Sequence, residues 1–318
     1  MYLENSAILI ASELGLDLMY FSCDESGGLK FQESSKEDWK VATISGVLFD
    51  YETHCWWKKN YHRFPKKGKH YNDAQIVEIL EALHTFKATA ICHVIYQSTS
   101  RSEVQNFQND FISFHRKPIN NEPNLVTRSR HRHLDNLEKM KPETFARIFT
   151  LSQLITDGVS AYLNCVEKKR SQDQRGLNII VDDQVNPIVP AAQHFIWYFL
   201  NCRSVEGAFT CPGGLPKSLK SYAYVDDFGK ARADLTKFIK IKIGKQGEKL
   251  DDALIEVRLA DACSNFANRR FREGLSPAIC DLLDKIFQHR LVHFGNDDEH
   301  IANVPETIRL NGIKELIK

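Results

Sequence analysis

Apolar residues gather in short runs along this chain, and most runs stop at a cluster of acids, glycines or prolines. The stretch LDLMYFSCDESGG, residues 16–28, predicts a strand of apolar and aromatic residues halted by a polar, glycine-containing turn. WKVATISGVLFD (Trp39–Asp50) predicts a second strand, paired antiparallel with the first across the Gly27–Asp38 connection. In DAQIVEILEALHTF, Ile76, Ile79, Leu80 and Leu83 carry the spacing of an amphipathic helix. KATAICHVIYQ (Lys87–Gln97) predicts a third strand, and HRKPINNEPNLVTRSRHRH (His115–His133) has the polar, proline-containing, basic composition of a long loop.

From Asp135 to Lys169 the chain is helix-forming, with Pro142 marking a boundary or a first turn. GLNIIVDDQ (Gly176–Gln184) is continuously apolar before it ends in two aspartates, so it predicts a central parallel strand buried on both faces. A helix around Pro190–Asn201, a turn at CPGGLPKS and a strand at SYAYVDDF follow. KFIKIKIGK (Lys237–Lys245) alternates lysine and isoleucine as a strand with one wet, basic face does. Asp251–Phe271 reads as a helix with apolar Leu254, Val257 and Leu259, and RLVHFGNDDEH near the C-terminus as an acidic helix cap without chemistry. Interleaved strands and helices without repeats predict an α/β protein with a mixed sheet. The expected division is one domain over 1–275, with a basic loop inserted at 115–133, and a C-terminal helical extension over 276–318.

Composition narrows the function only by exclusion. Of the 318 residues, 42% are hydrophobic and 26% charged, ordinary values for a globular protein. Lys and Arg number 42 against 41 Asp and Glu, a formal net charge of +1, so any case for nucleic acid must be local. The eight cysteines never form a Cys-x-x-Cys pair, which fits reduced thiols better than structural zinc. Glu4 and Glu13 interrupt the N-terminal apolar stretch, no basic n-region precedes it, and no apolar run is long enough to span a bilayer. A cytoplasmic protein without a membrane role is expected; a protein partner or a homo-oligomer stays open.

Two chemistries compete at FSCDESGGLK. Ser26 echoes a serine-protease signature, but only 25 residues precede it and none is histidine. A Gly-x-Ser-x-Gly elbow fails as well, because Asp24 takes the first glycine position. Ser26 and Gly27 therefore read as the turn that lets the backbone leave the strand. The carboxylates remain: Asp24 and Glu25 at one strand end, Asp182 and Asp183 at another, and Asp261 among alanine, leucine and cysteine in mid-helix. Taken singly, each is a turn acid or a paired helix charge. Taken together on adjacent strand ends under one helix, they form a like-charge cluster that requires cations. Oxygen ligands without histidine or cysteine favour Mg²⁺ or Mn²⁺.

The DESGG-terminated strand, the NIIVDD strand and the RLADACSNFANRR helix resemble, in order, a bacterial family catalogued as domain of unknown function 3800. The resemblance runs from about Leu16 to Phe271, and the Asp-Glu opening is also similar to the Asp-Glu-Ala-Gly of type-two ribonucleases H. It implies a ribonuclease H-like fold and a metal site at Asp24, Glu25, Asp182 and Asp261. The expected activity is two-metal hydrolysis of nucleic-acid phosphodiesters. Asp24 would bridge both ions, Asp182 and Asp261 would complete one each, and Glu25 would ligate an ion or orient water. Gly28 stands where the family often has an acid, and Arg258 where it often has glutamine.

Two rivals remain: a non-catalytic binding or regulatory protein on the same fold, and a polymerase-like reading of YAYVDDF through Asp226 and Asp227. Substrate contacts are expected from WWKKNYHRFPKKGKHY, with Lys66, Lys67 and Lys69 beside stacking aromatics, and from Arg128, Arg130 and Arg132 in RSRHRH. His131 and His133 form a minor candidate zinc pair.

Overall fold

A computed structural model describes residues 18–27, 31, 41–65, 67–96, 100–118, 124–169, 176–182, 196–197, 223–225, 231–243, 255–272, 275–292 and 294. Its centre is a six-stranded mixed sheet in the order β7-β4-β1-β2-β3-β8. The strands are β1 (Leu18–Ser26), β2 (Val41–Phe49), β3 (Thr89–Tyr96), β4 (Gly176–Val181), β7 (Ile239–Ile243) and β8 (Phe287–Val292). β1, β2 and β3 form an antiparallel meander. β4 runs parallel to β1, β7 parallel to β4, and β8 parallel to β3. The expectation of a continuous apolar strand inside the sheet is met by β4, in which every residue is buried. β5 (Ala223–Val225) and β6 (Ala231–Ala233) form a separate antiparallel pair.

Helices cover both faces. On one lies α5 (Pro142–Lys169), with α3 (Arg101–Arg116) packed against it and α4 (Asn124–Glu138) against α3. On the other, α6 (Ile255–Arg272) crosses β1 and β2, with α1 (Tyr51–Asn60), α2 (Asp73–Thr85) and α7 (Pro277–Ile286). Pro142 is the first residue of α5, where its missing N–H costs nothing. Strand alternation sorts β1 between the faces. Met19, Phe21 and Cys23 enter the core under α5, while Tyr20 packs on the α6 side. The Phe21 ring lies against two glycines, Gly46 of β2 and Gly158 of α5, where a Cβ would stand 2.1 Å and 2.4 Å from its carbons.

Three expectations change. The segment 115–133 is not a loop: its first residues end α3 and its last ten lie in α4. Leu134 and Leu137 bury that helix in the core, and buried Gln108 of α3 donates to the carbonyls of Leu137 (2.6 Å) and Met140 (3.1 Å) at its end. Residues 276–292 do not form a separate helical extension, and those from 295 lie outside the described residues; α7 leads directly into β8, which completes the sheet beside β3. RLV of RLVHFGNDDEH is accordingly strand, not a helix cap. A partly buried link fixes β8 to α5: Asp157 lies 2.8 Å from buried His93 Nε2 and accepts from Arg290 at 2.5 Å. No helix among the described residues is long and apolar enough to cross a membrane.

Candidate metal and nucleic-acid site

The acids expected to act together stand at one end of the sheet. Register pairs Cys23 with Val181, so Asp24 and Asp182 follow side by side where parallel β1 and β4 end. The Asp182 backbone N–H donates to the Cys23 carbonyl at 3.3 Å. Gly27, at φ 98°, then turns the chain away, a conformation that glycine adopts without strain. Asp261 comes from α6, which is seated on β2 by two reciprocal bonds between Thr43 and Ser264 and on β1 by Asn268 donating to the Ser26 carbonyl at 3.3 Å. Ser26 thus has the turn position expected of it.

Alternation divides the Asp24–Glu25 pair. Asp24 pairs across β2 with Ser45 and shares its face with Thr43, under α6; Glu25 pairs with Ile44, under α5. On that side Arg147 of α5 brings its Nε within 2.6 Å of Glu25 Oε2. Asp24, Glu25, Asp182 and Arg147 line one small pocket, closed by Cys23, Ile44, Leu151 and Val181.

Burial makes Asp24 electrostatically costly. It is 5% exposed; one oxygen accepts from the Glu25 N–H at 2.7 Å, and Oδ2 has no hydrogen-bond partner among the described residues. Desolvation first, then the charges of Asp182 and Asp261, hold its carboxyl well above the usual range. Glu25 is raised too, by burial, against the opposing pull of Arg147. The carboxylates are neighbours rather than a closed ligand set: among the described residues, no three His, Cys, Asp or Glu side chains are grouped closely enough to hold a metal ion. Their chemistry fits a hard divalent cation, because a buried, unpartnered carboxylate oxygen facing like charges gains most from one.

The basic segments are rearranged by the fold. Trp57 is fully buried with its indole N–H on the Ile255 carbonyl at 2.5 Å, and its ring stacks on Phe64, which stacks on Tyr71. These aromatics are core, so they are not the base-stacking platform that WWKKNYHRFPKKGKHY suggests. Arg258 is likewise spent inside the protein. It lies over the Tyr61 ring and donates to the carbonyls of Tyr61, Phe64 and Pro65 at 3.3–3.4 Å. Arg269 holds the other end through the Tyr71 carbonyl at 2.9 Å. Both arginines strap residues 61–71 along the helix that carries Asp261, and leave Lys67 and Lys69 exposed there. Lys66 lies outside the described residues.

Arg128 and Arg132 are exposed on α4, whereas Arg130 is 4% exposed. Its guanidinium donates to the carbonyls of His115 and Lys117, which end α3, so it is a structural clamp and not a phosphate contact. His131 and His133 are two residues apart on this helix and point about 200° apart, so they do not form a zinc pair. Asp183, Gly28, Asp226 and Asp227, the CPGGLPKS turn and most of the helix expected around Pro190–Asn201 lie outside the described residues.

Arg147 was not singled out by the sequence, although it carried a signal. It precedes Leu151, Leu154 and Gly158 at helical spacing, a cation on the apolar stripe of α5. No family profile, characterised protein or solved structure matches this chain.

Proposed function

We propose that this chain is a divalent-metal-dependent nuclease on a ribonuclease H-like fold, of the kind the DESGG, NIIVDD and RLADACSNF motifs resemble. The observation that carries the reading is Asp24: a buried carboxylate near the end of an interior strand, raised by its burial and by Asp182 and Asp261, with one oxygen unpartnered among the described residues. The antiparallel β1-β2-β3 meander with parallel β4 and β7 beyond β1 supports the fold assignment, since it sets two acidic strand ends next to each other.

Asp24, Asp182, Asp261 and Glu25 would hold Mg²⁺ or Mn²⁺, which supplies an activated water and charge stabilisation at the leaving oxygen. The chain's own part is positional. Parallel pairing fixes Asp182 beside Asp24, α6 delivers Asp261, and the strapped 61–71 segment presents Lys67 and Lys69 to phosphates. Labelled single- and double-stranded DNA, RNA and hybrid, incubated over a Mg²⁺ and Mn²⁺ titration, test the reading. Metal-dependent cleavage of one of them is expected. Salt-sensitive binding without cleavage at any metal concentration would replace the enzyme with a binding protein on this fold.

A further inference from the structure

Resting on the metal-site reading above, we propose that Arg147 is a movable counterion of the pocket: it neutralises Glu25 while the site lacks a divalent cation, and turns to the substrate phosphate once the cation claims Glu25. The guanidinium is the one cation among the described residues that line the pocket, which also contains Asp24, Glu25 and Asp182. Its hold on Glu25 is a charge contact, 2.6 Å from Nε to Oε2, yet that Nε–H is not aligned in a hydrogen bond. Such a pair lacks the bidentate geometry that locks arginine to a carboxylate. Both side chains are partly exposed, 25% for Arg147 and 18% for Glu25, so the guanidinium has an aqueous route out of the pair.

The exchange balances charge. A cation bound by Glu25 together with Asp24 and Asp182, the acids of the same pocket, takes over the neutralisation of Glu25 from Arg147, and the freed guanidinium matches the geometry of a phosphate monoanion or dianion. The backbone of α5 need not shift for this, because Gly158 seats the helix on Phe21 three turns away.

Calorimetry with Mn²⁺ and with inorganic phosphate tests it on the intact chain. Arg147→Met should bind Mn²⁺ about tenfold more tightly than wild type, as a competing charge is removed, and Mn²⁺-loaded Arg147→Met should bind phosphate about tenfold more weakly. Arg147→Lys should restore most of the phosphate affinity. In the metal-free protein, Glu25→Gln should bind phosphate several-fold more tightly than wild type, because the guanidinium is released. Unchanged Mn²⁺ and phosphate affinities in Arg147→Met, with Mn²⁺ binding abolished by Asp24→Asn, would discard the counterion exchange and keep the metal site. No Mn²⁺ binding by either wild type or Arg147→Met would discard both.

Discussion

The Asp182 N–H reaches the Cys23 carbonyl at 3.3 Å, one residue beyond the last register pair of β1 and β4. That bond sets the next residue of β1, Asp24, beside Asp182 without any side-chain contact being needed. Sheet geometry thus brings two carboxylates together from points about 160 residues apart, and α6 adds Asp261. Like charges placed this way oppose folding unless something binds them, and the pH dependence of stability should report it.

Asp24 supplies the first prediction. Its folded pKa is raised above its unfolded value, so between the two the folded state holds the extra proton, and stability is lost as pH rises through that window. Asp24→Asn should remove this fall. At pH 7 without divalent ions its melting temperature should exceed wild type by about 1–2 °C, the shift expected from roughly 1 kcal/mol in a chain of 318 residues. A melting temperature below wild type under these conditions would mean that the Asp24 charge is already compensated.

His289 should act in the opposite direction. Burial first, then Arg270, pushes its imidazole down to about 4 from 6.5. Its folded pKa is depressed, so the unfolded chain binds the extra proton between these values, and stability is lost as pH falls from about 6.5 to 4. The ring lies between Phe271 and Phe287 with neither nitrogen hydrogen-bonded among the described residues. His289→Leu should therefore melt more nearly pH-independently across this range. An unaltered acid limb in urea titrations at pH 4.5 and 7 would contradict the assignment.

Gly158 tests the packing that seats α5. A methyl there meets Phe21 carbons at 2.4–2.6 Å, and overpacking of this kind costs about 1–3 kcal/mol, against up to about 1 kcal/mol gained in helix propensity. Gly158→Ala should be net destabilising, and Phe21→Leu should reduce its cost in a double-mutant cycle. Additive effects would show that the ring and the helix do not meet.

The basic helix α4 separates structure from substrate grip. Arg130→Ala should lose roughly 1.5–3 kcal/mol, since it removes charged hydrogen bonds to the carbonyls that end α3. Arg128→Ala and Arg132→Ala should stay within about 0.5 kcal/mol of wild type. Neutralising Lys67 and Lys69 together should leave stability unchanged and flatten the slope of log affinity against log salt by about two units. An unchanged slope would remove the 61–71 segment from the interface.

How far the sequence discloses this arrangement depends on the signal each element carries. Periodicity reveals α2, whose Ile76, Ile79, Leu80 and Leu83 are all fully buried, and alternation reveals β7, whose Ile239 is buried and Lys240 exposed. α4 is hidden because its apolar Leu134 and Leu137 lie beyond the basic run, and because Pro118 and Pro123 read as loop residues when they flank helix ends. α3 had a usable start signal in Ser100 and Glu103, a capping box that the structure forms in both directions. β8 is an edge strand with polar His289 and charged Arg290 turned to opposite faces, so neither periodicity nor composition marks it. The acids were legible as motif residues; Arg147, the burial of Arg130 and the commitment of Arg258 to backbone carbonyls depend on tertiary packing.

The most direct measurement is the rate at which wild type, Asp24→Asn and Asp261→Asn cleave the preferred nucleic acid at saturating Mg²⁺ or Mn²⁺, with folding verified by melting. Both variants are expected to stay folded and to lose activity by roughly three orders of magnitude or more. Cleavage by both folded variants at the wild-type rate would contradict a nuclease site built on these carboxylates.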